Sequence, residues 1–148
     1  MAANTSAIFP NQGIIGQASL ISGVATALTT RTVAGVAGLT ALVAANTNGT
    51  RVDSIRVISS SPIGTANSAN IVRIWSYLGS GNAVLVDEIT VTSVTPSATV
   101  AGFMSVTNYK DPNNQLVTAP TNGALYCSIH TIAGTQDNMN VIAFGGVY

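Results

Sequence analysis

The feature that most constrains how this chain folds is the branching of its side chains. Among 148 residues there are 18 Thr, 16 Val and 13 Ile, so about a third branch at Cβ. Such side chains are stiff at χ1 and pack well on pleated sheets. The residues that usually coat surface helices are nearly absent, because Glu88 is the only Glu and Lys110 the only Lys. The sequence therefore predicts an all-β fold.

Turn signals divide the chain from residue 38 to residue 148 into short strands. Strands that recur about every eight to twelve residues are typical of a sandwich or barrel. We therefore predict an antiparallel β-sandwich, jelly-roll-like, over 38–148. Segment 51–59 is expected to return along 39–44, and segments 124–132 and 139–144 are expected to form the last pair. The other predicted strands are 70–78, 83–92 and 99–107, with turns at 46–49, 79–82 and 111–114.

Residues 1–37 differ in composition from the rest and predict an N-terminal arm, extended or partly helical. The segment is uncharged apart from Arg31. A helical apolar stripe runs through Ile14, Ala18, Ile21, Ala25 and Leu28. Removal of 1–37 is expected to leave a folded β domain. The predicted assembly contacts of the arm are Ile8, Phe9, Ile14, Ile15 and Ile21.

Alternation along 70–78 places Arg73, Trp75 and Tyr77 on one face of a strand and leaves the other face for the core. Two interpretations stay open. The three side chains pack against the second sheet, the arm or another subunit, or they form a platform that binds a partner or stacks on a sugar.

No residue pattern indicates a catalytic or metal centre. Asp87 and Glu88 are adjacent on a predicted strand, so their side chains leave on opposite faces and cannot share a cleft. Ser128 lies two residues before His130 without the G-x-S-x-G elbow of a hydrolase. Cys127 and His130 have an odd spacing, which separates them on a strand. We therefore expect no enzyme, no metal site and no cofactor.

The chain has few charged residues, and this limits the classes of partner that it is expected to bind. Ten charged residues make up 7% of the chain, with a net charge of zero. The five cations are scattered, which argues against a nucleic-acid partner. No Lys or Arg precedes Arg31, and polar residues interrupt every apolar run, so we expect neither a secretory signal nor a membrane span. The single cysteine, Cys127, fits folding in a reducing cytosol.

Four segments carry a resemblance: TNGTRVDSI, ANIVRIWSY, VDEITVTSVTPSATV and the ending NVIAFGGVY. They resemble parts of small virion proteins encoded beside the capsid genes of tailed bacteriophages, over roughly residues 46–148. The resemblance implies a β-sandwich subunit that decorates or cements a capsid shell, often as a trimer. It further implies synthesis in the host cytoplasm, location on the capsid surface, and the major capsid protein as partner.

The expected function is thus that of a non-enzymatic virion structural protein that bridges neighbouring capsid subunits. The low charge of the chain agrees with this expectation. Charged groups lose their hydration when neighbouring subunits cover them, so surfaces that become buried in an assembly contain few charges. Two alternatives remain. The first is a tail, fibre or baseplate component, and the second is a carbohydrate-binding adhesin module that uses the Trp75 face.

Overall fold

The computed structural model describes residues 13–20, 27–131 and 139–148, and within these ranges it contains strands and no helix. The ten strands follow one another along the chain as the β-branched composition predicts. Their bounds are β1 Gly13–Leu20, β2 Val33–Ala34, β3 Thr40–Val43, β4 Thr50–Ser59, β5 Asn70–Tyr77, β6 Asn82–Val91, β7 Met104–Asn108, β8 Leu116–Thr118, β9 Ala124–Ile129 and β10 Met139–Val147.

The strands form two antiparallel sheets that pack face to face. Sheet 1 has the order β1-β10-β4-β7, and β8 also pairs with β4. Sheet 2 has the order β2-β6-β5-β9-β3. The predicted all-β antiparallel sandwich is confirmed.

Alternating side chains build the core between the two sheets. Ile55 and Val57 on β4 face Val72 and Ile74 on β5, and all four are fully buried. Strand β10 adds three inward residues, Met139, Val141 and Ala143, which are also fully buried. The period of two in these strands therefore fixes which side of each sheet enters the core.

Two predicted strand pairs are wrong. The turn at 46–49 forms as expected, with the Gly49 amide donating to the Asn46 carbonyl at 3.1 Å and Gly49 at a φ of 82°. However, β3 lies in sheet 2 and β4 in sheet 1, so this turn joins the two sheets instead of closing a hairpin. The same holds for β9 and β10. Turn residues specify a local change of direction, but not whether the next strand pairs with the previous one or crosses to the other sheet.

The chain does form the hairpin predicted at 79–82. Strands β5 and β6 pair antiparallel, with a bulge where Ile74 lies opposite Asp87 and Trp75 opposite Leu85. The bulge leaves Asp87 on the inner side, where its Oδ2 accepts a hydrogen bond of 2.6 Å from the Tyr109 hydroxyl. Glu88 points to the outer side, so the two acids leave the strand on opposite faces as predicted.

Residues 13–20 belong to the sandwich and do not form an arm outside it. Strand β1 pairs with β10 along sheet 1, and Leu20 is fully buried in the core. A Cβ atom on Gly16 would collide with the carbonyl of Leu42 on β3, so glycine is needed where the edges of the two sheets meet. The helical stripe predicted from Ile14 is wrong for this segment, because hydrogen bonding to β10 and burial of Leu20 favour an extended backbone.

A second part of the predicted arm covers the outer side of sheet 2. We call residues 27–39 the strap. Its Leu28 amide donates to the Ile129 carbonyl at 3.0 Å, and its buried Val33 pairs with Ala83 on β6. With Leu28 and Leu39, Val33 packs in a small cluster around Trp75. The predicted boundary at residue 37 therefore does not separate an arm from a sandwich in the described residues.

Candidate functional site

The side chains that the sequence places on one face of β5 lie together, but the strap covers them. Trp75 is fully buried, and its Nε1 donates a 2.9 Å hydrogen bond to the Ser128 hydroxyl. Arg73 is 4% exposed, and its Nε donates to Glu88 Oε1 at 2.8 Å. Tyr77 is half-buried with its ring packed edge-on against another tyrosine. Arg73 and Trp75 therefore offer no exposed platform to a sugar or a partner.

The five predicted arm contacts have different positions. Ile14 is 61% exposed at the start of β1, whereas Ile15 is half-buried and packs against the core. Ile8, Phe9 and Ile21 lie outside the described residues. Of the described pair, only Ile14 presents its side chain to solvent to any large extent.

Ile14 belongs to a larger apolar surface on the outer side of sheet 1. Six large apolar side chains share this side, and with Arg56 they form what we call the open face. Met104, Ile14 and Val106 are 60%, 61% and 43% exposed. Within the described ranges, none of the six belongs to either buried cluster. The six are Ile14 on β1, Ile58 on β4, Met104 and Val106 on β7, and Ile142 and Phe144 on β10.

Strand register brings these side chains into adjacent rows. Arg56 on β4 lies opposite Val106 on one side and Ile142 on the other. Ile58 lies opposite Met104, and Ile14 opposite Phe144. Directly opposed residues in antiparallel strands have Cβ atoms about 4.5–5.5 Å apart, so these side chains lie on one surface, which also contains the polar residues Gln17, Ser54 and Asn140.

A sequence signal for the open face was available in β10. Val141 and Ala143 alternate with Ile142 and Phe144, so this strand is apolar at both parities. An antiparallel strand with one solvated face normally alternates apolar and polar residues. A strand that is apolar on both sides indicates that its outer face is also buried, either by another segment of the chain or by a partner.

Arg56 lies in the middle of the open face, and its position is held by an aromatic ring. Its guanidinium carbon lies 5.2 Å from the centre of the Phe144 ring, within the range of a cation–π interaction. The Nε atom of Arg56 is buried and has no hydrogen-bond partner in the described part of the chain. Buried donors are nearly always paired, so this atom calls for an explanation.

Beside Arg56 lies an open cavity of about 450 Å³. Lys110 contributes a second cation to its wall, and Asp53 an acidic group. Asp53 is 3% exposed and forms an ion pair of 2.7 Å with Arg51. The hydrogen bond to this carboxylate raises the pKa of Arg51 above its usual value. The other lining residues are Gly13, Ile14, Ser54, Phe144 and Gly145.

Cys127 and Tyr109 both serve internal contacts. Cys127 is fully buried in the core, and this burial raises the pKa of its thiol to about 12. Burial and the hydrogen bond to Asp87 raise the pKa of Tyr109. Over the described ranges, no group of three or more His, Cys, Asp or Glu side chains has the arrangement of a metal site. In the same ranges there is no helix long and apolar enough to cross a membrane.

Comparison with known proteins adds no assignment: no protein-family model, curated protein or solved structure matches this chain. The features of this chain that bear on function are therefore the open face and the cavity beside it.

Proposed function

We propose that this protein is a non-enzymatic structural subunit that binds to a larger protein shell through its open face. The observation that carries the proposal is the contrast between the two outer sides of the sandwich. The strap covers the outer side of sheet 2 around Trp75. On the outer side of sheet 1, Met104 and Ile14 remain about 60% exposed. Large apolar patches on a protein surface mark sites of interaction.

The low charge of the chain supports a protein partner. Arg56 is the only ionisable residue among the seven that define the open face, and charged side chains are depleted at the centres of protein interfaces. An aromatic ring and an arginine together are typical of residues that dominate binding energy. Phe144 and Arg56 provide this combination on the open face.

Strand order supports the jelly-roll form of the sandwich. When β2 is set aside and β7 and β8 are counted as one interrupted strand, each sheet has four strands. Their orders are then β1-β10-β4-β7 and β3-β9-β5-β6, with the first and last of the described strands adjacent. We assign this arrangement as an eight-strand jelly roll, an architecture found in viral capsid and lectin domains.

We therefore propose a capsid shell as the assembly, with the major capsid protein as partner and with self-association, as a trimer, at the contact site. The location is the outer surface of a virion. This choice follows the resemblance of residues 46–148 to small tailed-phage virion proteins, which is an argument by analogy. The adhesin alternative needs an exposed Trp75, and Trp75 is fully buried.

The test is co-purification with particles. Particles from cells that naturally carry the gene are separated on a density gradient, and the chain and the major shell protein are quantified by mass spectrometry. We expect this chain in the particle fraction, with a copy number per particle that is constant and close to the copy number of the shell protein. A ratio of a few copies per particle would support the tail, fibre or baseplate alternative and contradict the shell assignment. Recovery only from the soluble fraction would contradict both.

A further inference from the structure

We propose that the cavity at the end of the open face receives a carboxylate from the partner protein, with Arg56 as the principal binding group and Lys110 as the second. This inference deepens the proposed function and rests on it for the identity of the partner. It concerns the chemistry of one contact, an Asp or Glu side chain that enters an otherwise apolar interface.

The charges around the cavity favour an anion. Arg56 and Lys110 line it, and the acidic group in its wall, Asp53, already forms an ion pair with Arg51. The lining thus carries two positive charges and one negative charge, and Arg51, which pairs with the negative one, does not line the cavity. Since the whole chain has a net charge of zero, this concentration of cations is local. An entering carboxylate would meet a field that attracts it.

The state of Arg56 indicates how the anion binds. Its guanidinium packs on the Phe144 ring, which limits the orientations that the side chain can adopt. Its buried Nε has no partner among the described residues. Leaving a buried donor unpaired costs free energy, and a carboxylate is the acceptor whose geometry matches the guanidinium fork. A carboxylate in the cavity would therefore offer an acceptor to a guanidinium whose Nε has no partner in the described part of the chain.

The apolar part of the wall distinguishes a protein carboxylate from a phosphate. Ile14 and Phe144 line the cavity beside the cations. A phosphate of a nucleic acid would bring a strongly hydrated, multiply contacted backbone, which needs a row of cations. A carboxylate on an aliphatic stem brings one charge and apolar contacts, and this matches two cations next to an isoleucine and a phenylalanine.

The experiment is a titration of the isolated full-length chain, labelled with ¹⁵N, with three probes at constant ionic strength. The probes are benzoate, its neutral analogue benzamide, and inorganic phosphate. We expect benzoate to bind and to shift the amide signals of Gly13, Ser54 and Gly145, which line the cavity. Benzamide and phosphate are expected to bind about tenfold more weakly or not at all.

Variants assign the binding to the two cations. We expect Arg56→Gln to weaken benzoate binding about tenfold, since it removes a charge-assisted hydrogen bond, and the exposed Lys110→Gln to weaken it roughly threefold. Arg31→Gln is the control, because it removes the same charge from the strap, on the other sheet, and should leave benzoate binding unchanged. Lys110→Gln keeps the test valid if Arg56→Gln does not fold.

Three results would overturn the inference: no shift with benzoate at the cavity amides, benzamide binding as tightly as benzoate, or phosphate binding more tightly than benzoate. The titration uses the isolated chain, so it is independent of particle association. If the chain co-purifies with particles but benzoate does not bind, the carboxylate site fails and the structural role stands. If benzoate binds but the chain is never found on particles, the structural role fails.

Discussion

At the scale of single residues, the buried polar groups hold the two sheets in register. Tyr109 follows β7 in sheet 1, and its hydroxyl donates to Asp87 on β6 of sheet 2 at 2.6 Å. The second oxygen of Asp87 accepts the Glu88 amide at 2.8 Å. A carboxylate on the inner side of a strand would be costly without such partners. The inward position of Asp87 is therefore explained by Tyr109, which the sequence pattern did not connect to it.

Removing the Tyr109 hydroxyl tests this link. Tyr109→Phe keeps the buried ring but leaves an acceptor of Asp87 unpaired, so we expect the free energy of unfolding to fall by about 1–3 kcal/mol. Urea denaturation of both proteins measures the difference. If Tyr109→Phe causes little further loss of stability in an Asp87→Ala background, the hydrogen bond carries the effect. Unchanged stability in Tyr109→Phe would contradict the link.

The same residue predicts a loss of stability at alkaline pH. The pKa of Tyr109 is raised in the folded protein, so above about pH 10 the unfolded chain releases this proton before the folded chain does. The free energy of unfolding should therefore decrease as pH rises from 9 to 11. Burial raises the pKa of Cys127 to about 12, so its ionisation also lowers the free energy of unfolding as pH rises. Wild-type Tyr109 and Tyr109→Phe are therefore compared in a Cys127→Ser background. In that background, Tyr109→Phe should reduce the decrease in the free energy of unfolding between pH 9 and 11. An unchanged decrease would contradict the assignment of this pH dependence to Tyr109.

At the scale of elements, the strap is fixed by charge as well as by apolar packing. Glu88 binds Arg73 at 2.8 Å and Arg31 of the strap at 2.5 Å. Arg73 also donates to the carbonyl of Leu28 in the strap. The hydrogen bond from Arg73 lowers the pKa of Glu88. Glu88 thus connects the strap to the outer side of sheet 2, directly over the Trp75 cluster.

Loosening the strap should be visible in tryptophan fluorescence, since Trp75 is the only Trp. We expect Glu88→Gln to increase quenching of Trp75 by acrylamide at neutral pH. In the wild-type protein the pKa of Glu88 is lowered, so its stabilising charge is present above its unfolded value and lost as pH falls below about 4. Below about pH 4, acrylamide quenching of Trp75 should therefore increase in the wild-type protein and stay constant in Glu88→Gln. Equal quenching of the two proteins at neutral pH would contradict this role.

Deletion of the first strands separates the observed fold from the arm expected from sequence. A chain that starts at Gly38 lacks β1 and most of the strap, including the buried residues Ala18, Leu20 and Val33. We expect it to be unfolded or aggregated, because the core would be open along β10 and Trp75 would be uncovered. Circular dichroism and NMR dispersion measure this outcome. A folded, monomeric chain from Gly38 would show that β1 and the strap are dispensable.

The sequence was sufficient for the class of fold and for most strands, but not for how they are connected. Alternation in 51–59 and 70–78 located β4 and β5, since inward residues such as Val57 and Val72 recur with a period of two. Turn residues at Asn46 and Gly49 did not indicate a crossing between sheets, because the same backbone angles serve both. Strand β1 was missed since burial of Leu20 depends on β10, more than 100 residues away in the chain.

The candidate surface was only partly predictable for the same reason. Ile14 was expected to make an assembly contact, but Arg56 and Phe144 come from strands far apart in sequence. Their proximity depends on the pairing of β4 with β10. Trp75 was identified correctly as lying on the outer side of β5, yet its exposure depends on the strap. Sequence patterns report which side of a strand a residue occupies, whereas coverage of that side is decided by distant segments.

At the scale of the whole molecule, the two outer sides of the sandwich have different roles. The strap covers the outer side of sheet 2 around Trp75, and sheet 1 presents the open face. A smaller set of exposed apolar residues, Leu78, Val84 and Val86, lies at the β5–β6 hairpin. This set provides a matched control, because Val86 is 42% exposed on β6 and Val106 is 43% exposed on the open face. The same substitution can therefore be compared at equal exposure on the two surfaces.

The most direct test of the central claim is rebinding of Val106→Lys and Val86→Lys to particles from which the native chain has been removed. Val106 is 43% exposed, so docking can bury less than half of a side chain whose full burial contributes about 1.5–3 kcal/mol, and a lysine there would also place a charge in the interface. A difference of about 1.4 kcal/mol corresponds to a tenfold change in affinity. We therefore predict that Val106→Lys binds about tenfold more weakly than wild type, whereas Val86→Lys binds like wild type. Equal affinity of the two variants, or a loss confined to Val86→Lys, would contradict the assignment of docking to the open face.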